Sequence, residues 1–300
     1  MSSLVQDFSF EFLAIFLEGL PFIFLGTLVS GFLGTFLPAN AFERALPRKP
    51  VGAVLLAGVL GIVFPVCECA VVPVIRRLVR NGLPASCALT YMLAAPIVNP
   101  VTAISTYKAF KVAPGFMTCG RLLLGYLIAV LVGLIVMKLA KESFLKPAAL
   151  EGHSHRHARN LSAAMTNSLR DLVDVGIYFV IGITLTSFLK AGVINPTVDF
   201  WKNLEDSTLL AAPAMMGLAF VLSLCSTSDA FIAANVGNFS LASKLSFLVF
   251  GPMMDAKLVF LYATVFRPKF ILWLGVGLFL AVGGACVMLE VLEIQEIWLN

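Results

Sequence analysis

Residues 10–37, FEFLAIFLEGLPFIFLGTLVSGFLGTFL, form an apolar run in which Glu11 and Glu18 are the only charged side chains. A helix that crosses the hydrocarbon core of a membrane needs about 20 apolar residues, so this run is long enough to span it. Three further apolar runs lie at residues 116–139, 172–189 and 270–292. The sequence therefore predicts four long transmembrane helices.

The composition of the whole chain agrees with a membrane location. Of the 300 residues, 59% are hydrophobic and only 13% are charged, whereas soluble domains carry about 25% charged residues. The mean hydropathy is +0.95. This composition excludes a cytosolic enzyme, a nucleic-acid-binding domain and a secreted disulfide scaffold. No Lys or Arg precedes the first apolar run, so we expect no cleaved signal peptide.

The two halves of the chain resemble each other. An offset of 156 residues aligns scarce residue types in order without a gap: Glu18 with Asp174, Gly26 with Gly182, Gly61 with Gly217, Cys69 with Cys225, Pro96 with Pro252, and Asn99 with Asp255. We therefore predict a first transmembrane repeat at 1–140, a linker at 141–167 rich in His and basic residues, and a second transmembrane repeat at 168–300.

Loop charges predict the orientation of these repeats. Lys and Arg concentrate in residues 43–50 and in the linker, whereas residues 195–207 and the C-terminus are mainly acidic. Because positively charged loops stay in the cytoplasm, we place the linker inside and both termini outside. The first span then runs inward and its repeat partner runs outward, so the repeats are inverted.

The inner part of each half is apolar but broken by proline and polar residues. Charge placement favours two re-entrant hairpins, at 51–80 from the inside and at 208–240 from the outside. Their tips would meet near mid-membrane, where transporters with broken helices bind their solutes. The alternative is eight plain spans with proline kinks.

The densest polar feature of the first half is Cys67-Glu68-Cys69, between Pro65 and Pro73. On a regular helix, residues two apart do not face the same side, so a break in the helix is needed to aim both thiols at one ligand. Thiolates are soft ligands that suit Cu(I), Zn and thiophilic metalloids. With Cys225 from the second half, Cys67 and Cys69 are candidate metal or metalloid ligands, and Glu68 is a candidate proton carrier. The alternative is that these Cys are small buried apolar residues.

The second half contains Cys225-Ser226-Thr227-Ser228-Asp229 inside an apolar run. An acid within a membrane is costly and indicates function by default, which makes Asp229 a candidate. Asn99 and Asp255 each lie next to a proline break, and Lys257 follows Asp255 closely. We expect Asp255 and Lys257 to pair or to share a ligand across the break at residues 251–252, or else to be a charge-compensated pair at a kink.

Other polar groups favour a structural interpretation. The tract His153-Ser154-His155-Arg156-His157 lies among basic residues of the linker and is expected to be a solvated loop. Glu18 and Asp174 are expected to lie at the membrane interface.

These motifs together resemble a known family. The Cys-x-Cys run with Val72-Pro73, the stretch Ala95-Pro96-Ile97-Val98-Asn99-Pro100, the stretch Cys225-Ser226 with Ser228-Asp229-Ala230-Phe231, and the stretch from Phe250 to Lys257 are similar to the YraQ/ArsP-type predicted permeases of bacteria and archaea. The resemblance implies a multi-pass inner-membrane permease with about eight apolar segments, and some members export trivalent organoarsenicals. Glu68 departs from the small residues usual at that position. The candidate substrate-binding residues are Cys67, Glu68, Cys69, Asn99, Cys225, Ser226, Asp229, Asp255 and Lys257.

From these observations we expect a permease with broken helices in the membrane. It would work as a secondary transporter and not as an enzyme. Its solute would be small and thiophilic or anionic, such as a trivalent metalloid or organoarsenical, and the direction would be efflux. The chain has no nucleotide-binding loop of the G-x-x-x-x-G-K-[ST] kind, so an ion or solute gradient would supply the energy. No cofactor and no nucleic-acid partner are expected. The alternatives are a membrane thiol oxidoreductase and an ion channel.

Overall fold

The computed structural model describes residues 2–36, 47, 49–64, 66–80, 82–139, 161–193, 210–237 and 239–292. Within these residues the secondary structure is entirely helical, with twelve helices and no strand, which confirms the predicted all-α class. The helices of the first half are α1 (Ser2–Phe36), α2 (Pro50–Val63), α3 (Glu68–Arg80), α4 (Ala85–Ala94), α5 (Pro100–Ala109) and α6 (Pro114–Leu139).

The described part of the second half also has six helices, in the same order of long and short. They are α7 (Leu161–Val193), α8 (Ala211–Leu222), α9 (Asp229–Asn235), α10 (Leu241–Met253), α11 (Ala256–Tyr262) and α12 (Pro268–Val291). α7 begins at Leu161, so the helix already includes the last residues of the predicted linker. The His tract of the linker lies outside the described residues.

The predicted long spans are present, and one more was missed. Five segments in the described chain are long and apolar enough to cross a membrane: Phe8–Phe32, Pro114–Leu139, Ala164–Phe188, Leu241–Tyr262 and Pro268–Val291. The segment Leu241–Tyr262 combines α10 and α11, and 89% of its apolar window is buried. It lies at the centre of the bundle, whereas the other four expose large apolar side chains on one side.

The first pair of short helices, α2 and α3, turns back within the bundle. α2 has 14 residues and is about 21 Å long, less than the hydrocarbon core of about 30 Å. Val54 of α2 and Thr90 of α4 both pack at Gly133 of α6. Further along the chain, Gly58 of α2 packs at Tyr126, and Ile97, just after α4, packs at Gly125, so both short helices run antiparallel to α6. α4 therefore starts at the end of the bundle where α2 starts. Because only residues 81–84 separate α3 from α4, α3 returns to that same end.

The second pair of short helices, α8 and α9, also turns back within the bundle. α8 has 12 residues, a length of about 18 Å. It runs beside α10 in the same direction, since the Ser246 hydroxyl donates to the Ala212 carbonyl and Gly251 packs on Ala219. Lys244 near the start of α10 donates to carbonyls at the end of α9. α9 thus ends where α8 begins.

The two long helices α1 and α7 pack against each other in opposite directions. Gly19 of α1 lies against Phe179, and Gly31 lies against Ala164 and Ser168. At Gly31 a side chain would collide with the backbone of α7, so glycine permits the close approach of the two helices. This seam joins the two halves of the chain.

Candidate functional site

The Cys-x-Cys motif lies at a break between two helices, as predicted. α2 ends at Val63 and α3 begins at Glu68, so Cys67 precedes the helix and Cys69 lies in its first turn. The Cys67 carbonyl accepts hydrogen bonds from the N–H groups of Ala70 and Val71. Glu68 and Cys69 are buried. We call residues 66–69 the first tip.

The polar run of the second half forms an equivalent break. α8 ends at Leu222, and Ser223 follows with a φ of 46°, in the left-handed region that non-glycine residues rarely adopt. This turn reverses the chain before α9 begins at Asp229. The Cys225 carbonyl accepts the N–H groups of Ser228 and Asp229. We call residues 223–229 the second tip.

The ammonium of Lys257 connects both tips. Its Nζ lies 3.3 Å from Glu68 Oε1 of the first tip and 3.4 Å from Asp255 Oδ2. It also donates to the carbonyl oxygens of Ser223, at 2.8 Å, and Leu224, at 3.3 Å. The three charged side chains are at most 3% exposed. We call this group the lysine cluster; the contact expected between Asp255 and Lys257 is present, and Glu68 joins it.

A second buried cation holds the other side of the second tip. Arg121 of α6 lies 2.6 Å from Asp229 Oδ2 and also donates to the Ser226 carbonyl at 3.0 Å. Its other Nη donates to the Thr106 hydroxyl at 2.9 Å. We call this group the arginine cluster. Arg121 was missed in the sequence, although a single Arg inside the apolar run 116–139 is the signal that could have identified it.

The three thiols lie in the same region as the lysine cluster. Cys69 is within electrostatic range of Lys257, Glu68, Cys67 and Cys225. In the part of the chain that the structure describes, however, no three His, Cys, Asp or Glu side chains are arranged to hold a metal ion. The thiols thus form no ready-made metal site, and their role as soft ligands stays a prediction.

Asn99 and Asp255 have the same local role at equivalent breaks. The Asn99 side chain accepts the Val101 N–H at 2.8 Å and caps α5. The Asp255 side chain accepts the Leu258 N–H at 2.7 Å and caps α11. Asp255 also reaches Lys257, whereas the recorded side-chain contact of Asn99 is its cap. Of the two, the structure brings only Asp255 into the lysine cluster.

Acids on α1 and α7 contact residues of the opposite half of the chain. Glu18 accepts the Ser228 hydroxyl of the second tip at 2.7 Å, and Asp174 pairs with Arg76 of α3 at 3.2 Å. Because α1 begins at Ser2, before the apolar run, Glu18 lies at the middle of this helix and not near its end. Its expected position at the membrane interface stays a prediction, as does that of Asp174, which is largely exposed.

The fold and this site define a polytopic membrane protein with discontinuous helices and buried charges at the breaks, an architecture typical of transporters. The chain belongs to the family described as predicted permease, ArsP_1, whose model matches residues 6–290. It is therefore a membrane permease.

Three named relatives are similar to this chain. The UPF0718 protein YcgR of Bacillus subtilis is 35% identical over 87% of this chain and 89% of its own length. A Streptococcus mutans protein, named as a subunit of a two-component membrane permease complex, is 33% identical over 87% of both chains. The UPF0718 protein YraQ of Escherichia coli is 24% identical over 42% of this chain and 36% of its own. No solved structure matches the chain at a significant level.

Proposed function

We propose that this permease is a secondary transporter that exports a small thiophilic solute bound between the two tips. The observation that carries the proposal is the lysine cluster, in which one cation contacts the first tip, the second tip and the start of α11. A solute bound beside Cys67, Cys69 and Cys225 would contact both tips at once. Binding would thereby be coupled to the relative movement of the two halves.

The two tips are proposed to be the ends of re-entrant hairpins in an inverted repeat, with repeats at 1–140 and 168–300. Support comes from the recurrence of six helices, from the antiparallel packing of α1 and α7, and from short helices that return to the end where they began. Non-helical backbone is tolerated at membrane depth only where protein or a cavity surrounds it. Both tips meet that condition because Glu68 and Ser223 are buried.

The charges around the tips favour an uncharged solute over an anion. Glu68, Asp229 and Asp255 are three buried acids, and Lys257 and Arg121 are the two cations that pair with them. Like charges close together in a medium of low dielectric constant repel strongly. Neutral trivalent metalloids and organoarsenicals combine affinity for thiols with no net charge, and therefore suit this site better than an oxyanion.

The protein is proposed to lie in the inner membrane and to have a second polypeptide as its partner. The Streptococcus mutans relative is named as one subunit of a two-component complex, and it is similar to this chain over most of its length. Co-purification of a second membrane protein with the tagged chain from its native host would support this arrangement. Recovery of the chain alone from gently solubilised native membranes would contradict it.

Uptake into everted membrane vesicles tests the proposed transport directly. Vesicles with the native chain should accumulate trivalent arsenicals or another thiol-binding solute, compared with vesicles from cells that lack it. Phosphate and arsenate should not accumulate. Accumulation of anions alone would overturn the assigned solute class, and large single-channel currents in a planar bilayer would identify an ion channel instead.

A further inference from the structure

The ammonium of Lys257 is surrounded by oxygen atoms in a way that resembles the coordination of a free ion. Four oxygens lie within 3.4 Å of Nζ, namely Glu68 Oε1, Asp255 Oδ2 and the carbonyls of Ser223 and Leu224. They come from the start of α3, from the cap of α11 and from the loop that follows α8. No two of these elements are adjacent in sequence.

The same oxygens would suit a small hard cation. Carboxylate and carbonyl oxygens are the ligands that hard cations prefer, and the carbonyls that follow the end of α8 lie at the negative end of a helix dipole. In transporters with broken helices, unwound carbonyls and the C-terminal ends of half-helices coordinate the coupling ion. In addition, Glu68 Oε2 is buried without a hydrogen-bond partner among the described residues, so the site has capacity for a further contact.

We propose that these four oxygens form a monovalent-cation site that the Lys257 ammonium permanently occupies. The lysine is a tethered cation that binds the kinds of oxygen ligand with which other transporters bind sodium. It neutralises one of the two carboxylates and joins the two tips, but it cannot leave during a transport cycle. This permease therefore needs no alkali cation at this site, and removal of the Lys257 side chain creates a site for a free one.

Thermal unfolding of the purified full chain tests the proposal without reference to transport. The variant Lys257→Ala is melted in sodium, potassium or methylammonium chloride, and in N-methylglucamine chloride of equal ionic strength. We expect a saturable rise of the melting temperature in at least one of the three small cations, roughly 3 °C at ten times the dissociation constant. The native chain should show no such difference between the salts.

A matched control is Lys244→Ala. Lys244 also donates to two backbone carbonyls, those of Ala234 and Gly237, but it does not belong to the lysine cluster. This variant should respond to the four salts as the native chain does. Equal responses of Lys257→Ala and Lys244→Ala would overturn the proposal, as would a Lys257→Ala chain that no small cation stabilises.

A second variant keeps the test decisive if Lys257→Ala does not fold. The double variant Lys257→Ala, Asp255→Asn retains the net charge of the native cluster, and Asn is as good a helix cap as Asp. The carbonyls of the second tip and Glu68 still surround the emptied position. We expect the same salt-specific stabilisation, and its absence in this folded variant would overturn the proposal. If the Lys257 variants bind a cation but the native chain transports no solute, the proposed function is overturned and the cation site stands.

Discussion

The two tips occupy equivalent places in the two halves but differ in chemistry. The first tip contributes two thiols and Glu68 at the start of a helix, whereas the second contributes one thiol, several hydroxyls and Asp229. Each acid is neutralised by a cation from the other half, Glu68 by Lys257 and Asp229 by Arg121. The acid of each tip thus pairs with a cation from the half to which that tip does not belong.

The two clusters also differ in their balance of charge. Lys257 is shared by two carboxylates, while Arg121 pairs with one and binds a carbonyl and a hydroxyl besides. The arginine cluster is balanced and therefore suited to fix the second tip in place. The lysine cluster has two carboxylates for one cation and therefore keeps an excess of negative charge.

The largest effect is expected from Lys257→Met, which leaves Glu68 and Asp255 buried with no cation. Breaking a buried ion pair from one side costs on the order of 3–5 kcal/mol. The double variant Lys257→Met, Asp255→Asn should recover part of the loss because one uncompensated charge disappears. Thermal unfolding and the yield of folded protein measure both. Losses that simply add would show that the residues do not interact.

Arg121→Met should rank second, because it leaves the single acid Asp229 unpaired. We expect a loss of about 3 kcal/mol, at the lower end of the range for a broken buried pair. Arg121→Met combined with Asp229→Asn should be more stable than Arg121→Met alone. If Arg121→Met proves as stable as the native chain, the arginine cluster does not hold the second tip.

Exchange of thiols for hydroxyls should affect transport and leave the fold intact. Cys→Ser at Cys67, Cys69 and Cys225 replaces soft ligands by hard ones of similar volume, so vesicle uptake should fall to background. The matched control replaces Cys87, Cys119 and Cys286, which lie in α4, α6 and α12 and outside both tips, and should retain uptake. Equal uptake by the two triple variants would show that the tip thiols are packing residues.

The smallest effect is expected at the peripheral pair of Arg76 and Asp174. Asp174 is 56% exposed, and exposed ion pairs contribute about 0–1 kcal/mol. Arg76→Gln should therefore change the melting temperature little. The neighbouring Arg77 pairs with Asp171, which also accepts the Ser30 hydroxyl of α1, so Arg77→Gln should cost more. A larger loss of stability for Arg76→Gln than for Arg77→Gln would mean that the exposed pair with Asp174, and not the buried pair with Asp171, fixes α3.

The sequence alone predicts much of the fold, because its signals are local. Long apolar runs mark the outer helices, and prolines with polar neighbours mark the breaks before Glu68 and after Met253. The contact between Asp255 and Lys257 was predictable for the same reason, since only one residue separates them. The start of α7 at Leu161 was not, because the polar residues that begin this helix resemble those of a loop.

The composition of the site was less predictable because its contacts are distant in sequence. Glu68 and Lys257 are 189 residues apart, and Arg121 and Asp229 are 108 apart. No local pattern shows which acid pairs with which cation. A single charged residue within an apolar run indicates only that it must have a partner. Arg121 carries this signal as clearly as Asp229 does.

The long separation between Glu68 and Lys257 also determines the order of assembly during synthesis. A ribosome adds about 5–20 residues per second, so Lys257 is made roughly 10–40 s after Glu68. During this interval Glu68 of the first tip has no Lys257 to balance its charge, and the lysine cluster can form only when the last third of the chain has been made. Nascent chains that stop before residue 257 should therefore be held by the insertion machinery or degraded, and the first half is not expected to mature on its own.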